Sequence, residues 1–427
     1  MNWTFDNSSS DSQGELYGKR PRPLICSPLQ SKIPGIPLSW REKASGWPRR
    51  FQLTHSEATQ SGLLKTALHS RNRRFLVALM LFSGILAKSI GAPMMSDGIQ
   101  IPQSVSETIS RAASALVAST EGDSRMKLHH PDVPGSAASN ALFRWSFLPG
   151  RRPGLRHDEM NLDQRIHAQK LVRSTLSETG QLKWNAIVAL EDVLRKLSRV
   201  GGGDDPSRTS GQYTFAILGD PSGIEPWGWR VEGHHVSLRF LLQGDRWLSS
   251  TPAFLGASPT IPSVGPNIGL EVLDDEEDLA LQLARSLRAE QLEIGLRSEG
   301  IPRDIIHGPG KGVVIEPIGI RRDQLTPGQQ LVLERLIDVH LGLLSSPLEQ
   351  AEKRRIENAG LDSIRFCWWG PLEKNQRHSY RIHGPTTMIE LVRVAGNPGH
   401  VHIVRRDPAR DLDHSPLHQH LVEAHGK

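Results

Sequence analysis

The spacing of apolar and polar positions changes character along the chain. Ile109, Ala112 and Leu116 recur at helical spacing, which predicts a helix over Gln103–Ser119. Two more helices are predicted over His157–Ser198. Leu162, Ile166, Leu171 and Val172 mark the first, and Ile187, Leu190, Val193 and Leu197 mark the second. Gly180 is taken as the break between them. From Gln212 the period falls to two. Strands are predicted at Tyr213–Leu218, Trp229–Leu242 and Arg246–Ser249. The Pro- and Gly-rich stretch Thr251–Gly269 reads as a loop.

Helical spacing returns over Asp274–Leu292, Thr326–Leu344 and Leu348–Asn358. Thr326, Pro327 and Gln329 form a capping box. Strands are expected at Ser363–Trp369, His378–His383, Thr387–Val394 and His400–Arg405, and a short helix at Pro416–Glu423. No internal repeat or low-complexity tract is evident in this region. The order strands–helices–strands predicts a single α+β domain over residues 100–425. Two sequence-distant strand groups would meet in a mixed or antiparallel sheet or a partly closed barrel, packed with helices.

The first 92 residues differ in texture. Residues 1–70 are rich in Ser, Pro, Gly and charge without periodicity, as in a disordered or untranslated leader. Arg71, Arg73 and Arg74 then precede the apolar run Phe75–Ala87, and small residues follow to Ala92. That layout at 71–92 predicts a signal peptide, hence an exported, periplasmic or extracytoplasmic protein. The alternative is a signal anchor that keeps residues 75–87 in the membrane.

Charge follows the same division. Residues 1–89 hold 13 of the 51 Lys/Arg but only 5 of the 46 Asp/Glu, leaving 38 against 41 for the rest. The body is therefore slightly acidic, which argues against nucleic acid as a partner. Any membrane contact is expected only through the N-terminal segment. Two cysteines, Cys26 and Cys367, make no disulfide framework, and Cys367 beside Phe366 and Trp368 reads as a core residue.

Candidate chemistry centres on histidine. If Trp229–Phe240 is one strand, alternation puts Glu232 and His234 on one face and His235 on the other. His400 and His402 share a face at i and i+2. Glu232, His234, His400 and His402, with Glu390 as an alternative carboxylate, make a metal-ligand set suited to zinc, iron, copper or manganese. His235 is a secondary candidate, and the tail histidines His414, His418 and His420 could also contribute. Glu232, Arg406 and Asp407 are the expected catalytic residues. Arg406 would hold an anionic group of an unidentified substrate, and Asp407 would orient it. Arg381 could line the same pocket, and Arg151, Arg152 and Arg156 read as a solvated loop. The competing readings are a metal-free module binding a glycan or protein partner and metal-free acid–base chemistry by Glu232 with His234. No P-loop, Gly-x-Ser-x-Gly elbow, HExxH or CxxC motif is present.

The segments GWRVEGHHVSLRF, TPAFLGASP, IRFCWWG, YRIHGPTTMIEL and HVHIVRRDPARDLD occur in that order, with LFRWSFLPGRRPGL and TPGQQLVLERLI. Together they resemble the family called domain of unknown function 3500 over residues 100–425. The resemblance implies signature positions at Glu232, His234, His235, Arg381, Gly384, Pro385, His400, His402, Arg406 and Asp407. It also implies Asn before the HxH pair and Trp before the Arg-Asp pair, where this chain has Gly399 and Arg405. It implies no assigned activity.

Overall fold

The structure is a computed structural model. It describes residues 98–132 and 144–413, except Ser207, Pro266, Val314, Ile315 and Pro398, together with Gln419. The expected leader, the signal segment 71–92, the helix Pro416–Glu423 apart from Gln419, and His414, His418 and His420 lie outside these residues. Among the described residues, no helix is long and apolar enough to cross a membrane.

Among the described residues, eight helices pack with a fourteen-stranded sheet. The helices are α1 (Gln103–Ala118), α2 (Gly122–Leu128), α3 (Leu162–Thr175), α4 (Glu178–Val200), α5 (Asp274–Ser286), α6 (Ala289–Gly295), α7 (Pro327–Leu341) and α8 (Ser346–Asn358). The longer strands are β1 (Thr214–Leu218), β2 (Trp227–Gly233), β3 (Val236–Gln243), β4 (Arg246–Ser249), β5 (Ala253–Ala257), β6 (Arg365–Trp369), β7 (Ser379–Gly384), β8 (Thr387–Arg393) and β9 (Val401–Arg406). Five two-residue strands complete the sheet, whose order runs β6-β7-β8-β9-β5-β3-β2-β1. The sheet is mixed, largely antiparallel and open. The α+β expectation therefore holds, with the single-sheet alternative realised rather than the barrel.

The two distant strand groups join through β5, which pairs antiparallel with both β9 and β3. The flanking prolines predict a loop where β5 forms. Its five residues are nonetheless all buried. A larger correction concerns Trp229–Leu242. It is not one strand but a hairpin, with β2 and β3 joined by a His234-His235 turn. His235 adopts the left-handed conformation, φ 63°, which a two-residue reversal can require and which histidine tolerates better than β-branched residues do. The turn resets alternation. Trp229, Val231, Val236, Leu238 and Phe240 face the helices, while Arg230, Glu232, Ser237 and Arg239 occupy the opposite face.

Two helix boundaries also move. Gly180 lies inside the first turn of α4, and the break falls at Leu176–Ser177. A Cβ on Gly180 would come 2.1 Å from the Leu343 carbonyl, so glycine here serves close helix approach. Asp274–Leu292 divides at Leu287–Arg288 into α5 and α6.

The chain does contain an internal repeat. Each half presents two helices, short strands, a 3-10 turn, two further helices and an antiparallel run of strands. α1 and α2 correspond to α5 and α6, α3 and α4 to α7 and α8, and β1–β3 to β6–β8. Details coincide across the halves. Gln164 and Gln329 both close capping boxes and donate to the carbonyls of Ser119 and Ser286. Gly154 and Gly319, at φ 129° and 90°, both press on the carbonyl of the next strand's phenylalanine, Phe215 or Phe366. The halves meet reciprocally: Ser177 N–H donates to Leu343 O (3.1 Å) and Ser345 N–H to Thr175 O (2.8 Å). That reciprocity is the signature of a local two-fold axis. Few residues are shared between the halves, which is why pattern reading saw no repeat.

Candidate metal centre

The His234-His235 turn is held at both ends. His235 N–H donates to Phe147 O (3.1 Å), and Gly256 N–H donates to His235 O (2.8 Å). Gly256 lies on β5 opposite His402 on β9. A Cβ there would come 3.0 Å from Cδ2 of both His235 and His402, so the missing side chain makes room for two imidazoles. β5, the strand joining the two halves, thus forms the floor of the site.

Three imidazoles converge above it. His235 Nε2 lies 2.9 Å from His400 Nε2, and one nitrogen from each of His235, His400 and His402 falls within 4.8 Å of the others. The His402 Nδ1–H donates to Asp304 Oδ1 at 2.6 Å, which fixes the ring and leaves Nε2 buried and without a hydrogen-bond partner. His235 Nδ1 is also buried without one. Phe147 and Phe254 pack edge-on against His402, with ring centroids 4.8 and 5.1 Å away.

His234 stands beside this triad. Its ring stacks on His235 at 3.7 Å, and its Nδ1 lies 2.5 Å from Oε1 of buried Glu191 on α4. Glu191, His234 and His235 form a second convergent group sharing His235.

Electrostatics favours the neutral form of His235 and His400. Burial, with the neighbouring imidazoles His234, His402 and His400, pushes His235 well below the ordinary histidine range. Burial and the charges of His402 and His234 bring His400 down to about 4. Burial works to raise the Asp304 carboxyl, but its bond to His402 holds it below the usual carboxylate value. Neutral imidazole is the form that donates a lone pair to a metal. Ligand bonds of ~2.0–2.1 Å in a tetrahedron put nitrogens about 3.3 Å apart, so the His235–His400 spacing needs only a few tenths of an ångström of opening. A carboxylate on the far nitrogen of a ligand histidine is the usual outer support of such centres. The residues fit a divalent transition metal.

The other sequence candidates lie elsewhere. Glu232 is not beside His234 and accepts hydrogen bonds from Arg239 (2.7 Å), Arg152 (3.1 Å) and Ser237 (2.8 Å) on the opposite sheet face. Arg152 is accordingly buried in this network rather than solvated, its side chain only 5% exposed. Glu390 accepts from Arg381 (Nη2, 2.8 Å), His307 Nδ1 (3.0 Å) and two backbone amides. Arg381 also stacks over Trp369. Arg406 is fully buried, and its guanidinium is engaged by Asp411 (2.6 Å), Asp413 and the carbonyls of His307 and Lys311. Asp407 pairs with Arg355 rather than orienting Arg406. These groups hold loops onto the sheet, and a substrate anion would have to displace their partners. Cys367 is buried, and burial pushes its thiol up to about 12. Trp227 and Trp229 belong to the core.

Glu191 and Asp304 were missed. Glu191 could have been noticed as an acid bordering the apolar stripe Ile187-Leu190-Val193-Leu194. Asp304 sits in an irregular loop and carries no local signal. Its position is fixed at a distance, by Arg377 donating to the carbonyls of Ile301 and Pro302 and by Ala395 N–H donating to Arg303 O.

Comparison with known proteins adds one match. No curated protein and no solved structure matches the chain. A family profile, described as "Protein of unknown function (DUF3500)", matches residues 103–414 and so spans both halves and every residue of the centre. The chain belongs to the DUF3500 family.

Proposed function

We propose that this protein is a metal-dependent enzyme of hydrolytic type, with His235, His400 and His402 as metal ligands. The observation that carries this reading is the convergence of three imidazoles over Gly256, one of them braced by Asp304. A divalent ion held there would supply Lewis acidity and a bound water acidic enough to ionise near neutral pH. Glu191 orients His234 through Nδ1, which leaves Nε2 as the nitrogen that takes up or releases a proton beside the metal ligands. Arg208, partly exposed and paired with Asp205 at 3.2 Å, lies close enough for its charge to act on His235 and His400 and suits an anionic group on the substrate better than the fully buried Arg406 does. The basic-then-apolar layout of Arg71–Ala92 supports export.

The test is hydrolysis of phosphate-ester, carboxylic-ester and amide probes by protein loaded with zinc, manganese, iron or copper. Activity should require metal, disappear in His402→Ala and fall by about 10²–10⁴ in Glu191→Gln, the range for a proton-transfer group. Oxygen consumption without hydrolysis would redirect the reading to oxidation. Metal-independent ligand binding, unchanged in His402→Ala, would replace it with a binding module.

A further inference from the structure

A cavity of about 310 Å³ lies between α3, α4 and the start of β1, behind the His234-His235 turn. Trp184 and Val188, both partly buried, supply an apolar wall, backed by the buried Val172, Tyr213 and Phe215. At its mouth Leu162 and Ile166 are 75% and 43% exposed, a high exposure for apolar side chains beside a cavity. The basic lining residues are His157, Arg165 and Arg173, and the lining holds no carboxylate. An apolar interior with a cationic rim matches a molecule with an apolar body and one negative group.

The internal repeat supplies an independent comparison. Counted from Gln164 and Gln329, Arg173 corresponds to Asp338. Counted from the helix-capping Ser177 and Ser345, Asn185 corresponds to Lys353. In the second half Lys353 Nζ binds both carboxylate oxygens of Asp338 at 2.8 Å and ties the helix pair together. Arg173 and Asn185 cannot form that clasp, so the same groove in the first half stays open and gains a cation instead.

We propose that this cavity binds a small amphipathic carboxylate, with the apolar chain against Trp184 and Val188 and the carboxylate in the field of the cationic rim, Arg165 at one end and Arg173 about 12 Å along the helix. The site adjoins the histidine turn. Tyr213 packs over Gly233, whose Cβ would meet its ring at 2.4 Å, and its hydroxyl donates to His234 O at 2.7 Å. The proposal does not depend on a metal in the histidine centre.

The experiment is displacement of the fluorescent probe 1-anilinonaphthalene-8-sulfonate from the full chain by decanoate or decanol, with and without chelator. Decanoate should displace the probe at lower concentration than decanol. Arg165→Gln and Arg173→Gln should each raise the decanoate requirement about threefold, as expected for a rim charge, and leave decanol unchanged. Ile166→Asp, at an exposed position that folding tolerates, should weaken decanoate further. Val188→Trp should abolish displaceable probe binding while the thermal melt stays cooperative. Equal displacement by decanoate and decanol, or probe binding unaffected by Ile166→Asp and Val188→Trp, would overturn the proposal.

Discussion

Gly256→Ala isolates the geometry of the centre without removing any ligand. The glycine lies in β5 with no left-handed backbone requirement, so alanine costs nothing in conformation. Its methyl carbon would sit 3.0 Å from Cδ2 of His235 and of His402, and 3.2 Å from Cγ of His235. Ordinary carbon–carbon contact begins near 3.5 Å, so both rings must retreat by about half an ångström. Metal sites tolerate ligand displacements of only about 0.2 Å. The apo fold should lose on the order of 1–3 kcal/mol from overpacking. Metal affinity should fall by ~10–100-fold, the range seen when ligand orientation is disturbed. The assay is competition with a chromophoric chelator, run beside a thermal melt of the metal-free protein. Unchanged affinity in a folded Gly256→Ala protein would refute the idea that His235 and His402 bind one ion across this floor.

Three further expectations follow from the same contacts. Asp304→Asn should lower metal affinity by ~10–100-fold with little effect on the apo melt, read by the same competition. Arg406→Ala should destabilise the fold by ~3–5 kcal/mol in urea titration, because buried Asp411 loses its counter-ion, while metal affinity per folded molecule stays unchanged. Stability should also fall in acid. Burial brings His340 down to about 3, where the Tyr380 hydroxyl links its Nε2 to the Glu276 carbonyl. A depressed folded-state value gives stability that is complete above pH 6.5 and lost as pH falls toward 3. Between pH 6.5 and 4 the loss is on the order of 3 kcal/mol, and His340→Leu should flatten that part of the urea-midpoint profile.

The legible parts of the fold were those with local causes. The Thr326 capping box, the acidic start of α5 and the helical stripe of α1 act within a turn or two and appear as expected. What failed was set by distant partners. Trp229–Leu242 alternates well enough to pass for one strand, and only Phe147 and Gly256, which hold His235, reveal a turn. Ala253–Ala257 looks like a loop between prolines, yet it pairs with strands from both halves and joins the sheet.

The candidate site shows the same division. His400 and His402 are legible together because His400 immediately precedes β9 and His402 lies near its start, and i, i+2 spacing is local. Their partner is His235 rather than His234 with Glu232, because the turn inverts the alternation that assigned faces. Glu390 stands among apolar neighbours, Glu232 shares a predicted face with His234, and Arg406 follows the histidine pair beside Asp407. Such charges serve structure as readily as chemistry, and here each is engaged by buried partners. The two supporting carboxylates, Glu191 and Asp304, reach the centre from a helix and a loop that no spacing rule links to it.

Metal stoichiometry of the purified chain tests the central claim most directly. Protein equilibrated with zinc, manganese, iron and copper in turn, desalted and measured by elemental analysis should retain one equivalent of a preferred transition metal. His235→Ala, His400→Ala and His402→Ala should each retain little, and Glu232→Gln should retain the wild-type amount when folded. A folded wild-type protein that retains none of these metals, or triad variants that retain as much as wild type, would contradict the account.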